Sequence, residues 1–171
     1  QQWPANLDVA DQRIIVIGSG ATAVTLLPAL VHRGARVTML QRSPTYIASL
    51  PSKDASVGRL ARVMSAERAQ KVVRWRNITM SAASYQFSRR APETMKKLLR
   101  RGVAKQLPPG YDVDRDFTPS YDPWDQRLCL APDGDFFAAI SSGRANVVTG
   151  QIETFTTDGI RLTDGTELPY D

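Results

Sequence analysis

The spacing of hydrophobic residues changes near the start of the chain, at a pair of glycines. The run 14–17 is short and β-branched, which favours a strand buried on both faces. Alanine and leucine then recur at helical spacing, which predicts a helix from about residue 21 to residue 32. Pro28 disfavours a helix interior by roughly 3 kcal/mol, but the helix prediction is kept. A second strand over 35–41 completes a βαβ unit of about 30 residues.

The middle of the chain has a helical pattern, and its end has a pattern of short strands. Residues 52–107 exceed a normal crossover connection and predict a helical insertion, with helices over 57–64, 66–81 and 84–101, the last interrupted or restarted near Pro92. An ordered, proline-rich loop is expected over 117–130, then a short helix over 136–141 and a strand over 145–149. Strands over 152–156, 159–162 and 167–168, joined by Asp-Gly turns, predict a terminal β-meander.

The junction between the first strand and the first helix has the spacing of a dinucleotide-binding loop. Gly18 permits a tight turn, Gly20 allows the backbone to approach a pyrophosphate, and the small Ala23 lets helix and strand pack closely. Free N–H groups at the helix start face the anion. We therefore predict an α/β fold, a single Rossmann-type three-layer NAD(P)-binding domain over 1–171. Its candidate phosphate-binding residues are Gly18, Ser19, Gly20, Ala21, Thr22 and Ala23.

The end of the second predicted strand distinguishes between NADH and NADPH. An NAD-binding unit places Asp or Glu there to bind the ribose 2′-hydroxyl, whereas a basic residue receives a 2′-phosphate. This chain has Arg42 and Ser43 at that position and no acidic residue. Arg42 can donate charge-assisted hydrogen bonds to the phosphate, and Ser43 adds a hydroxyl donor. The sequence therefore favours NADPH; the alternative is a surface arginine in a turn that ends at Pro44.

The composition excludes several classes of protein. The 171 residues are 42% hydrophobic and 23% charged, which is typical of a globular domain. No apolar run approaches the ~20 residues of a membrane helix, and the start has no apolar signal core, so we expect a cytoplasmic protein without a transmembrane segment. Cys129 and His32 are the only residues of their types, so neither an internal disulfide nor a Cys/His metal site is expected.

The net charge of +5 raises the question of nucleic-acid binding. Seven basic residues lie within 89–105, where paired basic residues flank paired leucines at helical spacing. This pattern is typical of a solvated helix face, and we favour that interpretation over a surface for nucleic acid or anionic lipid. No nucleic-acid partner is therefore expected.

Three strings of residues resemble flavin-containing monooxygenases of the Baeyer–Villiger type, in the ethionamide-activating group. They are G-S-G-A-T-A at 18–23, Q-R-S-P-T-Y at 41–46, and P-x-Y-x-P-W-D-Q-R-L-C-L-x-P-D-G-D from Pro119. The family motif F-x-G-x-x-x-H-x-x-x-W-P would finish on Trp3-Pro4, and residues 168–171 resemble the lead into a strand that returns to an FAD domain. The resemblance, which covers the whole chain, implies a fragment whose FAD domain would flank it on both sides.

The resemblance implies an NADPH- and FAD-dependent monooxygenase. In that family NADPH reduces FAD, and the reduced flavin uses O₂ to insert one oxygen beside a ketone or to oxidise a soft heteroatom such as sulfur. Arg127 matches the arginine that reaches toward the flavin, where a fixed positive charge stabilises developing negative charge and positions the nicotinamide. Arg127 is thus the candidate catalytic residue; alternatively it pairs with Asp122 or Asp125. The family commonly has a lysine at the position of Gln126, where it makes a further contact with phosphate. The resemblance does not establish that contact for this chain, because glutamine has replaced the lysine.

Without its FAD domain the chain is expected to bind nucleotide at most and to be catalytically inactive. Two other functions remain open. Another two-dinucleotide flavoprotein, such as a disulfide reductase, needs a C-x-x-C or C-x-x-x-x-C pair, which this sequence lacks. A non-catalytic module could instead sense nucleotides, or bind nucleic acid through the basic helix.

Overall fold

A computed structural model describes residues 7–171 as a mixed α/β structure. Trp3 and Pro4, where the sequence places the end of the family motif, lie outside the described residues. The strands are β1 (Arg13–Ile17), β2 (Arg36–Gln41), β3 (Tyr46–Leu50), β4 (Leu128–Pro132), β5 (Ala145–Thr149), β6 (Ile152–Phe155), β7 (Gly159–Leu162) and β8 (Glu167–Pro169). The helices are α1 (Ala21–His32), α2 (Ala55–Leu60), α3 (Ala66–Arg90), α4 (Pro92–Ala104), α5 (Val113–Phe117) and α6 (Asp135–Ser141).

The central sheet contains three parallel strands in the order β1-β2-β5, and α1 connects the first two. The predicted βαβ unit is therefore confirmed, and α1 continues through Pro28. The expectation that the first strand is buried on both faces is wrong for the described residues. The reason is that β1 pairs with β2 alone and forms the sheet edge, where Ile17 is 55% exposed.

The two faces of this sheet pack against different layers because neighbouring side chains of a strand point to opposite sides. Val37 and Met39 of β2 lie in the larger core, with Leu27 of α1 and Phe136 of α6. Leu40 of β2 lies on the opposite face, in a smaller core formed with β7. The sheet thus lies between a helical layer and a layer of short strands.

These short strands are β6, β7 and β8, which pair antiparallel in sequence order. The predicted β-meander is therefore confirmed. Its end is held against β1, where the Asp171 carboxylate accepts a hydrogen bond from Arg13 Nη2 at 2.6 Å and another from the Arg13 amide at 2.8 Å. These hydrogen bonds lower the pKa of Asp171 to about 2.

The helical insertion differs from its prediction in where the helices break. Helices 66–81 and 84–101 were expected to be separate, but α3 runs for 25 residues through the Ser81–Ser84 region, where small residues give no stop signal. The predicted interruption near Pro92 is confirmed: the break occurs at Ala91, with φ −137° and ψ 60°, because the following proline disfavours helical backbone. Pro92 then begins α4, where its missing N–H group costs no helical hydrogen bond.

The middle of α3 is exposed to solvent on every side. Ala69, Val73 and Ser88 are its buried residues, so all residues between 74 and 87 are exposed. They include Trp75, which is 67% exposed. The helix is therefore anchored near its two ends, with Arg76 also paired to Asp54.

A second parallel pair, β3 with β4, was not predicted as strands. Tyr46 lies opposite Leu128, so the segment after the second strand pairs directly with the segment after Arg127. Strand β4 begins at the end of the proline-rich region, directly after Arg127. The pairing of Leu128 with Tyr46 therefore fixes the position of the neighbouring Arg127 backbone.

Candidate nucleotide-binding site

One cavity of about 500 Å³ lies at the carboxyl ends of the parallel strands. Residues that follow β1, β2 and β5 line it, together with residues from the loop before β4. Crevices at the carboxyl ends of parallel strands are where open α/β sheets bind ligands. The lining includes six of the candidate residues, which the structure brings together: Gly18, Ser19, Gly20, Arg42, Ser43 and Arg127.

The glycine loop leads into a helix start whose backbone donors have no helical partner. Gly18 has φ +116° and donates its N–H to Leu40 O at 2.7 Å, which fixes the turn out of β1. Gly20 caps α1 without a side chain, and the first helical hydrogen bond runs from Val24 N to Gly20 O. The amides of residues 21–23 therefore have no partner within the helix, and α1 has no acidic residue in its first turn. Such a helix start favours an anion.

Ala21, Thr22 and Ala23 do not line the cavity with their side chains. Ala21 and Thr22 are exposed, and Ala23 is buried against the core. Their predicted role rests on their backbone N–H groups in the first turn of α1, which is where the structure places them.

Thr45 also lines the cavity, although no role was predicted for it. It is 4% exposed, and its hydroxyl lies 2.7 Å from the hydroxyl of Ser19. The hydrogen bond ties the glycine loop to the segment that follows β2. Thr45 could have been identified from its burial beside the end of a strand, since a buried hydroxyl needs a partner. Its burial is visible in the structure but not in the sequence.

The buried thiol of Cys129 also supports the glycine loop. Cys129 lies on β4, and its sulfur is 3.6 Å from the backbone oxygen of Ser19. Burial raises the pKa of the thiol, so it remains protonated and can donate to this oxygen. Ser19 of the glycine loop is therefore held by two contacts, one with Thr45 and one with Cys129.

The two arginines approach the cavity from different segments. Arg42 follows β2 directly, and Arg127 lies just before β4. Arg127 Nη1 would be 3.6 Å from a Cβ atom placed on Gly20, so its guanidinium lies over the glycine loop. Neither arginine forms an ion pair with any residue between 7 and 171. Both charges are therefore available to an anionic ligand.

The alternative prediction, that Arg127 pairs with Asp122 or Asp125, is wrong. Asp122 is paired with Lys96 at 2.6 Å, and Asp125 is paired with Arg89. Both partners belong to the helical insertion. The two aspartates closest to Arg127 in sequence are thus engaged elsewhere.

We expect Gly18→Ala to lower the free energy of unfolding by about 1–3 kcal/mol, because φ +116° strains any residue with a side chain. Gly20→Ala is the matched control. Gly20 has φ −77°, and an added Cβ there meets only Arg127 Nη1 at ordinary contact distance, so stability should stay near wild type. Urea unfolding of both variants checks this. Equal stability of Gly18→Ala and wild type would contradict the strained turn.

The sequence resemblance to flavin-containing monooxygenases is confirmed by relatives that match the whole chain. The chain is 52% identical over 172 aligned residues to the FAD-containing monooxygenase EthA of Mycobacterium tuberculosis, strain CDC 1551. It is 50% identical to the probable FAD-binding monooxygenase AlmA of an Acinetobacter species. It spans 35% of the first protein and 34% of the second, about a third of each. No family model matches the chain.

Solved structures share this fold at low sequence identity. An oxidized steroid monooxygenase bound to NADP superposes with a TM-score of 0.71 at 17% identity, covering 99% of this chain and 39% of that one. Cyclohexanone monooxygenase with bound ε-caprolactone gives a TM-score of 0.69 at 16% identity, covering 99% and 40%. The mixed α/β architecture with small parallel sheets therefore matches that of a portion of these monooxygenases.

The described part of the chain has neither a helix suited to a membrane nor a cluster of metal ligands. None of the helices within residues 7–171 combines the length and the apolar character needed to cross a membrane. In the same residues, no three His, Cys, Asp or Glu side chains gather as metal ligands.

Proposed function

We propose that this chain is the NADPH-binding domain of an FAD-dependent monooxygenase, which inserts one oxygen of O₂ into a ketone or a soft heteroatom. The observation that carries the proposal is that the glycine loop, Arg42 with Ser43, and Arg127 line the same cavity. The named relatives and the NADP-bound structural neighbour support it.

The proposal treats the chain as one domain with the helical insertion at about 52–107. The βαβ unit with its glycine loop would be the nucleotide-binding part of a three-layer Rossmann-type fold. The FAD would be held by a flanking domain of a longer protein, since the glycine loop at 18–23 is the one dinucleotide fingerprint of this sequence. A buried free thiol at Cys129 fits the reducing cytoplasm, where we place the protein.

The residues of the cavity fit NADPH in three respects. The amides at the start of α1 can donate to the pyrophosphate, and the lack of a side chain on Gly20 leaves room for its approach. Arg42 and Ser43, both exposed at the end of β2, can bind the 2′-phosphate. Arg127 lies against the glycine loop, where it would reach the nicotinamide half.

When bound, FAD supplies the redox chemistry of such an enzyme. This chain would contribute orientation and charge. Arg127 keeps a fixed positive charge beside the glycine loop, where it would hold the nicotinamide and stabilise negative charge that develops during oxygen transfer. The substrate would be a small ketone or sulfur-containing molecule.

The structure favours this proposal over a nucleic-acid surface on the basic helices. Arg89, Lys96 and Arg100 are each paired with an aspartate. Their charges are therefore partly neutralised within the chain, and fewer remain to attract phosphates.

The proposal predicts that the 171-residue chain binds NADP⁺ in an isothermal titration, binds NAD⁺ more weakly, and neither retains FAD nor oxidises ketones. The same titration with duplex DNA, at two salt concentrations, is the control. Steeply salt-dependent DNA binding without NADP⁺ binding would contradict the proposal. Bound FAD or ketone oxidation by this chain alone would contradict the assignment of FAD to another domain.

A further inference from the structure

The loop before Arg127 contains a tight turn with an unusual residue in it. In this turn, residues 122–125, the amide of Asp125 donates to Asp122 O at 3.0 Å. Pro123 occupies the second position, and Trp124 occupies the third with φ +74°. A turn with these φ signs normally has glycine at the third position, since bulky residues are strained there. The surroundings of Trp124 must therefore offset this strain.

Those surroundings belong to the helical insertion. Lys96 of α4 donates to Asp122 at 2.6 Å, and Arg89 of α3 pairs with Asp125. The ring of Trp124 packs edge-on against Tyr85 of α3, with ring centroids 6.1 Å apart. Three of the four turn residues are thus held by α3 and α4. The hydrogen bonds that Lys96 donates to Asp122 and Glu93 raise the pKa of Lys96, so it stays charged.

The turn is linked directly to the backbone of Arg127. The hydroxyl of Tyr121, just before the turn, donates to Arg127 O at 3.1 Å. The hydroxyl of Tyr46 on β3 donates to Tyr121 O at 2.9 Å. Residues 121–127 therefore form a closed loop whose far end rests on the insertion and whose near end presents Arg127 to the cavity.

We propose that Tyr85, Arg89 and Lys96 are positioning residues for Arg127: they hold the 122–125 turn and keep its two aspartates away from the arginine. The inference rests on the proposed function, because it assigns Arg127 to a bound nucleotide. When the insertion contacts are lost, Asp122 and Asp125 become free carboxylates within a few residues of Arg127. They then compete with the nucleotide for its guanidinium.

The first test compares two ligands in the double variant Lys96→Met/Arg89→Met. We expect NADP⁺ affinity to fall about tenfold, because Arg127 is drawn out of position. Affinity for adenosine 2′-monophosphate, which would reach only Arg42 and Ser43, should not change. The matched control is Arg100→Met, since Arg100 is also paired with an aspartate, Asp114, but does not contact the turn. That variant should bind both ligands like wild type.

Rescue separates positioning from a general structural role. Adding Asp122→Asn and Asp125→Asn to the double variant removes the competing carboxylates, so NADP⁺ affinity should return to within about twofold of wild type. Further loss on adding these substitutions would overturn the proposal, as would equal loss of both ligands in the double variant. Unchanged NADP⁺ affinity in the double variant would overturn it too.

A measurement without ligand tests the positioning role independently of the proposed function. Trypsin cuts after Arg127, and a released loop should be cut faster at that bond, about tenfold in the double variant relative to Arg100→Met. If wild type binds neither nucleotide, the proposed function fails, and the cleavage rate still decides whether the insertion holds the loop. Equal rates in both variants would refute the positioning role.

Discussion

Replacement of Arg127 by alanine is expected to lower NADPH-dependent oxygenation by about 10²–10³ in kcat when made in the longer flavoprotein that we propose. The reason is that Arg127 places a fixed charge over the glycine loop, with no ion pair to residues 7–171 that would neutralise it. NADP⁺ binding should fall less, about tenfold, because the backbone donors and Arg42 remain. Stopped-flow and steady-state assays measure both quantities.

Arg144→Ala is the matched control for this experiment. Arg144 is also exposed, but it lies just before β5, at the opposite end of the parallel strands from the cavity. Its replacement should leave kcat and NADP⁺ binding near wild type. Wild-type turnover in Arg127→Ala would show that the arginine is a surface residue and would remove it from the catalytic assignment.

Replacement of Arg42 by alanine is expected to weaken NADPH binding by about 10- to 100-fold while leaving NADH binding nearly unchanged. A hydrogen bond to a charged group contributes roughly 1.5–3 kcal/mol, and only NADPH carries the 2′-phosphate that would receive it. Isothermal titration of the 171-residue chain with both nucleotides measures the ratio.

Two further variants serve as a comparison and a control for Arg42→Ala. Ser43→Ala removes a neutral donor at the same end of the cavity and should cost NADPH less than Arg42→Ala. Arg36→Ala changes an exposed arginine at the start of β2, far from the end that reaches the cavity, and should affect neither nucleotide. Equal losses of NADPH and NADH in Arg42→Ala would eliminate the 2′-phosphate assignment.

Local sequence patterns were enough to predict the parts of the fold that position the cavity. The change from β-branched to helical spacing at Gly18 and Gly20 predicted β1, α1 and the turn between them. The Asp-Gly turns predicted the meander. Each of these signals lies within a few residues of the structure that it specifies, so sequence could show it without a partner.

The remaining features depend on contacts between distant parts of the chain. Tyr46 becomes a strand residue because it pairs with Leu128, and neither segment alternates clearly enough to predict that pairing. The hydroxyl contact of Ser19 with Thr45 depends on the same long-range packing. The predicted break between residues 81 and 84 was wrong. Helix α3 continues through that region, and the interruption predicted near Pro92 is the real break, because the proline disfavours helical backbone at Ala91.

The solvent-exposed middle of α3 has a consequence for how readily this helix opens locally. A helix stretch that buries nothing over residues 74–87 has a small free energy of local opening, so its amides exchange with solvent without unfolding of the sheet. Tyr85 and Arg89 lie at the end of that stretch and hold the turn before Arg127. Local opening of α3 that extends to Tyr85 and Arg89 would therefore free the turn before Arg127.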